Sequence, residues 1–320
     1  MHSLSRPPPA LPWTRIAAFL GLFAALYIAA AAIAELRVGR AGQGAMQELL
    51  AAKGRQVDWI VLGASHALPL AYGGVPERLE AETGQTMMML AEVGAGPLYA
   101  DFVLRQALLD LEPMHILYVA DSFAFRSPRW NEERIADRKL LRKTPWRSSM
   151  LGILAGMAGS GGVAPGALAD YVTNFSKLNP PDRFPQDDWR GAENFDRSFR
   201  PSRHATGARI GYLYPEGAAK ADPARYLDAL EAMFARARAE GLSVTVVKLP
   251  VPDAFREALP GEAEFDAALA ARLAPLGIPL HDLSAALADP RLYFDTDHLN
   301  RDGVELLYER HLGPILAAGG

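Results

Sequence analysis

Nineteen consecutive residues, Ile16–Ala34, carry no charge. A run of that kind must be kept from water, by a protein core or by lipid. At 1.5 Å per residue it is about as long as the ~30 Å hydrocarbon layer of a membrane is thick. Arg6 and Arg15 precede it and Arg37 and Arg40 follow it, so flanking charge orients it only weakly. Three readings compete: a membrane anchor over residues 16–36, a signal peptide cleaved after Ala32-Ile33-Ala34, and a buried core helix. The run is longer than the apolar region of a usual signal peptide, which favours an uncleaved anchor. Residues 1–15, rich in proline, then form a disordered cytoplasmic tail, and everything after Arg37 lies outside the cytoplasm.

Beyond the anchor, Val38–Gly44 reads as a glycine-containing linker and Ala45–Lys53 as a short helix, so residues 37–56 lead into the main domain. Val57–Leu62 is apolar, rich in β-branched residues and closed by Gly63, which predicts a buried strand. A helix over Val75–Glu82, stopped by Gly84, and a strand over Thr86–Leu90 follow. Leu98–Leu111 has helical periodicity with Pro113 as its stop, and His115–Ala120 is a third strand. This β-α-β-α-β order predicts an α/β domain over residues 57–320: a flavodoxin-like three-layer sandwich around a central parallel sheet, with Val57–Leu62 between the other two strands. Residues 125–215 break the pattern and read as an insertion, with an irregular loop over Pro180–Pro201. Regularity returns with a helix over Pro223–Glu240, a strand over Leu242–Leu249, a helix over Ala263–Leu273, a short strand over Ile278–His281 and a last helix over Asn300–Leu312. Gly313-Pro314 should end or kink that helix.

The chain has no cysteine, which excludes disulfides, thiolate metal sites and cysteine nucleophiles. Its formal charge of −4 argues against a nucleic-acid partner. No histidine or carboxylate pattern has metal-ligand spacing, and Val93–Pro97 lacks the glycine pattern and lysine of a phosphate loop. No metal or cofactor is therefore expected.

The chemistry is concentrated in Tyr293–Leu307, YFDTDHLNRDGVELL. A carboxylate three residues before a histidine, on a turn entering a helix, can hold the ring's Nδ1 and leave Nε2 free as a base. Asp295 and His298 have that spacing. Asp297 is adjacent to His298 in sequence, and neighbouring side chains point apart, so Asp295 is the expected orienter. The pair needs a nucleophile. Ser65, just past the end of the first strand in VLGAS, stands where ligands bind in open parallel sheets. Ser65 could instead simply cap the next helix. His66, directly after Ser65, is badly placed as its base but can line the site.

These segments resemble the SGNH (GDSL-type) hydrolase superfamily, particularly its membrane-anchored extracytoplasmic members. The resemblance covers about Asp58–Leu312 in architecture, while its specific motifs cover only VLGAS and DTDH. It implies that Ser65 is the nucleophile, His298 the acid/base and Asp295 its orienter, with an oxyanion glycine at Gly94 or Gly96. The superfamily's third block carries an asparagine; here that place holds Asp121, which as a carboxylate would repel an oxyanion. Ser122, in Ala-Asp-Ser-Phe, resembles another nucleophile block, but there the Asp-His motif lies upstream of the serine rather than downstream. The resemblance further implies a serine esterase or O-acyltransferase acting on a cell-envelope glycan. Its partners would be the glycan or an acyl donor and an integral-membrane acyltransferase, and it would sit in a bacterial inner membrane with its domain in the periplasm. The competing expectation is a non-catalytic docking protein of an envelope-assembly complex. Finally, Arg126–Arg147 holds eight Lys/Arg against three Asp/Glu, with Trp130 and Trp146 among them. It is either a solvated face or a surface docking on anionic lipid, glycan or a membrane partner.

Overall fold

The computed structural model describes residues 12–41, 44–179, 189–200, 202–215 and 223–319. The expected tail over residues 1–11 and most of the first half of the expected loop at 180–201 lie outside these. Five strands form one parallel sheet: β1 (Gln56–Gly63), β2 (Met87–Met89), β3 (Glu112–Val119), β4 (Ser243–Lys248) and β5 (Leu280–Asp282), in the order β2-β1-β3-β4-β5. This is the expected three-layer α/β architecture, with β1 between β2 and β3. The alternation of side chains along each strand divides the core in two. Ile60, Leu62, Ile116, Tyr118, Val244 and Val246 face the helices Pro97–Asp110 and Ala224–Ala239. Trp59, Val61, Leu117, Val119 and Val247 face Val75–Thr83 and the C-terminal helix.

The chain leaves β1 toward β2 on one side and returns to β3 on the other. The crevice outside the carboxyl ends of β1 and β3 is thus the topological switch point, the usual ligand site of open α/β sheets. Gly63 closes β1 there with φ 142°. A Cβ at that position would lie 2.7 Å from the Val119 carbonyl oxygen, so only glycine lets the two strand ends run this close.

Several expectations need correction. The apolar N-terminal helix runs from Trp13 to Ala41, through most of the expected linker, and Trp13–Val38 is long and apolar enough to cross a membrane. None of its most apolar stretch is buried, which removes the core-helix reading. Pro113 lies inside β3, and the preceding helix ends at Asp110. The fifth strand is shifted to Leu280–Asp282. Residues 125–215 are largely helical where described. The helices Glu132–Ile135, Arg138–Lys143, Ser148–Gly159 and Pro165–Thr173 send Ile135, Leu140, Met150, Leu154 and Tyr171 into the same core as the sheet.

The last helix, Arg301–Leu307, opens into a π-helical turn over Tyr308–Leu312 and continues as Gly313–Ala318. The wide turn accommodates Pro314, which lacks an N–H, so the helix is modified rather than stopped. At its start the Asn300 side chain accepts from the Gly303 N–H at 3.0 Å and donates to the carbonyls of Arg197 and Arg291 at 3.1 and 2.8 Å. Losing such a cap costs about 1 kcal/mol or more. Asn300→Ala is expected to lower the thermal midpoint by at least about 2–4 °C, read by circular dichroism.

Candidate active site

Ser65 begins a 3-10 turn, Ser65–Ala67, that leads directly into the helix Leu68–Tyr72. First-turn N–H groups of a helix have no acceptor within it, and the Ser65 N–H has no partner among the described residues. The Ser65 hydroxyl donates to His298 Nε2 at 2.9 Å. On the other side of the ring, Nδ1 is 2.9 Å from each carboxylate oxygen of Asp295. Asp295 is itself fixed by the N–H groups of Asp297 and His298, at 3.0 and 2.8 Å. Three side chains from the two ends of the chain thus form one line of hydrogen bonds, in which His298 can accept a proton on Nε2 while Asp295 holds Nδ1–H. Ser65 and His298 are buried, at 4% and 1% exposure. The His298 ring stacks on Phe294, with Trp189 packed at 5.1 Å. Apolar walls of this kind strengthen the electrostatics inside a site.

Beside this line lies a second one that sequence reasoning did not anticipate. His66 Nδ1 meets Asp121 at 2.5 Å and His66 Nε2 meets Asp297 at 3.0 Å. Asp297 in turn takes a two-pronged contact from Arg209, at 2.8 Å from both Nε and the terminal nitrogen. Burial alone would lower the His66 pKa, but the Asp121 and Asp297 carboxylates outweigh it and hold the ring's pKa up at about 10. Burial would likewise raise Asp297; His298, Arg209 and His66 outweigh that and keep it well below the usual carboxylate range.

His66 is therefore an imidazolium at neutral pH, and the charge of Asp121 is answered rather than left facing the crevice. This revises the expectation that Asp121 would simply repel an oxyanion. The linkage has a definite sign. A raised folded-state pKa adds stability that is complete below about 6.5 and is lost as pH rises through about 10. The thermal midpoint is expected to fall across that window, and His66→Gln should flatten the alkaline slope.

The other candidates fall in different places. The Gly96 N–H donates to the Trp130 carbonyl at 2.6 Å, so it is not available to an oxyanion. Gly94, at φ 65°, packs against the Trp130 ring, and its N–H has no partner among the described residues. Ser122 bonds to the Tyr214 hydroxyl at 2.8 Å and to Glu262. Glu262 is paired with Lys248 at 2.6 Å, so the groups around Ser122 are acidic and phenolic, not imidazole. A small cavity of about 20 Å³ touches His66, Asp121, Ser122, Lys248 and Glu262, but neither Ser65 nor His298. It has room for a water, not for an acyl group. The second carboxylate oxygen of Asp121 is buried without a partner among the described residues.

Ligand-type atoms of His66, Asp297 and His298 lie within 4.8 Å of one another. Both nitrogens of each ring are already engaged, and a protonated His66 offers no lone pair to a metal. The cluster fits a charge-paired network better than a metal centre.

No family model matches the chain, and no curated protein sequence matches it. Solved structures are similar to it. A candidate acylhydrolase from Bacteroides fragilis NCTC 9343 covers 86% of this chain and 95% of its own, at 11% identity and a TM-score of 0.43. A Streptococcus pneumonia structure described as a candidate platelet activating factor covers 92% and 96%, at 10% identity and a TM-score of 0.41. A GDSL-like lipase from Bacteroides thetaiotaomicron VPI-5482 covers 82% and 88%, at 9% identity and a TM-score of 0.39.

Proposed function

We propose that this chain is a serine esterase or O-acyltransferase of SGNH type that works through an acyl–Ser65 intermediate on a cell-envelope glycan. The observation that carries the reading is the Ser65–His298–Asp295 line at the switch point of the sheet. His298 Nε2 takes the hydroxyl proton as Ser65 Oγ attacks the acyl carbonyl. The resulting oxyanion is met by the N–H groups of Ser65 and Gly94, neither of which has another acceptor among the described residues. His298 then returns the proton to the departing oxygen, which leaves the acyl group on Ser65. Water or a sugar hydroxyl then gives its proton to the same nitrogen and takes the acyl group, and His298 returns that proton to Ser65 Oγ, which restores the free serine. The choice between water and sugar depends on how far the site excludes water, and the buried serine supports transfer. With the N-terminal helix as a single-pass anchor in a bacterial inner membrane, the domain faces the periplasm, where the glycan is within range and an integral-membrane acyltransferase is the candidate partner.

One observation favours a second reading, a non-catalytic docking module. Gly96 and Asp121, two of the expected site groups, are committed to Trp130 and His66. The test is mass spectrometry of the protein after incubation with an activated acetyl ester. An acetyl adduct on Ser65 supports the enzyme. An unmodified Ser65, together with no ester turnover, leaves the docking reading.

A further inference from the structure

Four of the eight cations of the basic stretch are engaged inside the fold. Arg126 is held by the Gly261 carbonyl, Arg134 by Asp137, Arg138 by Ser176 and the Asn179 carbonyl, and Arg147 by Asp110, while Trp130 is buried. The apolar surface of the domain shows a different pattern.

Among the described residues beyond the apolar helix, the large exposed hydrophobics are Tyr212 and six others: Leu50, Leu109, Met114, Trp146, Val172 and Phe175. The six lie at one end of the domain, where the strands begin. Met114 is the third residue of β3, and Leu109 precedes it at the end of the Pro97–Asp110 helix. Arg147, next to Trp146, bonds Asp110. Leu50 sits on the helix just before β1, and the Gly54 N–H donates to the Asp110 carbonyl at 2.7 Å.

The anchor helix is bound to this same end. Glu35 pairs with Lys177 at 2.6 Å and accepts from the Trp146 N–H at 2.8 Å. Deeper along the helix, the Tyr27 hydroxyl donates to the Thr173 carbonyl at 2.7 Å. If Ile16–Ala34 fills the hydrocarbon layer, Tyr27 lies about 10 Å inside its boundary, seven residues before Ala34. The neighbours of Thr173, Val172 and Phe175, are then at lipid depth, Trp146 is at the boundary where tryptophan is favoured, and the Arg138–Lys143 helix beside Phe175–Leu178 stands at head-group level.

We infer that the domain rests on the bilayer through the end of the fold where its strands begin, so that the carboxyl ends of the strands, with Ser65, point away from the membrane. The occupant of the apolar end is the lipid leaflet around the anchor. β1 separates the two ends by about 25 Å. The inference rests on the helix being a membrane span and is independent of the chemistry at Ser65.

The absence of native cysteine makes the test direct. Nitroxides are placed at Leu109→Cys, Phe175→Cys, Leu22→Cys in the span and Glu257→Cys after β4, each in the full chain reconstituted in liposomes of phosphatidylethanolamine and phosphatidylglycerol. Leu109 and Phe175 are expected to relax more with oxygen than with a water-soluble nickel chelate, as Leu22 does, and Glu257 to show the reverse. Leu109 and Phe175 behaving like Glu257, with Leu22 still in lipid, would overturn the inference and leave the anchor intact. Immobilised labels reached by neither reagent would mean that protein covers this end, which also overturns it. If Phe175→Cys fails to fold, Leu109, 61% exposed, decides alone.

Discussion

Ser65→Ala is expected to abolish covalent modification by a fluorophosphonate probe and to lower turnover of an activated ester by at least about 10³-fold. The substitution removes one oxygen, 2.9 Å from His298 Nε2. It leaves the His298–Asp295 contact and its two backbone donors in place, so the loss reads the nucleophile alone. His298→Ala should cost as much, and the double variant little more, because a nucleophile without its base and a base without its nucleophile are equally idle. Asp295→Asn should retain the fold, since the backbone N–H groups of Asp297 and His298 can still bond its side-chain oxygen, but should slow the reaction by presenting the wrong tautomer to Ser65. Additive losses in the Ser65/His298 pair would separate the two residues and remove the catalytic reading.

The second large effect is on stability. Asp297→Ala is expected to cost about 3–5 kcal/mol, measured by urea unfolding. The side chain of Asp297 is fully buried, and its carboxylate is shared by His66 and Arg209. Its removal leaves a buried imidazolium with one partner and a mostly buried guanidinium with none of its Asp297 contacts. The control is Asp289→Ala, which breaks the pair with Arg291, itself 82% exposed; solvent screens such a pair, so a much smaller loss is expected. Equal losses in the two variants would show that the Asp121–His66–Asp297–Arg209 line does not stabilise the fold.

The two results bear on how much of the molecule can be read from its residues. The strands were legible because Val57–Leu62, His115–Ala120 and Leu242–Leu249 are short apolar runs closed by turns, and a buried parallel sheet needs just that. The placement of Asp295 beside His298 was legible because a three-residue spacing on a turn into a helix is a local constraint. Ser65 could be placed at a strand end, although its partner is 233 positions away.

The second line was not legible. His66 and Asp121 are 55 positions apart, and Arg209 and Asp297 are 88 apart. Which charge answers which depends on the crevice between β1 and β3, and no spacing in the sequence encodes that. Asp121 therefore read as an isolated negative charge. The basic stretch is the opposite case: its residues are close in sequence, but Arg126, Arg134, Arg138 and Arg147 each turn to a different part of the fold. Composition reports how many cations a segment has, and only packing decides whether they share a face.

The attachment of the first helix has a consequence for what Ser65 can touch. Besides the contacts of Glu35, the Val38 carbonyl accepts from Gln47 at 2.7 Å, so the helix is braced against the domain at more than one point. A domain on a slack tether sweeps a hemisphere, and its local concentration at any point is set by tether length. A braced domain gives up that sweep. Resting on the bilayer as inferred above, it would hold its serine at one height and one orientation, so that an ester in the lipid head-group layer would be out of range, while a polymer strand at that height would meet every copy in the same pose.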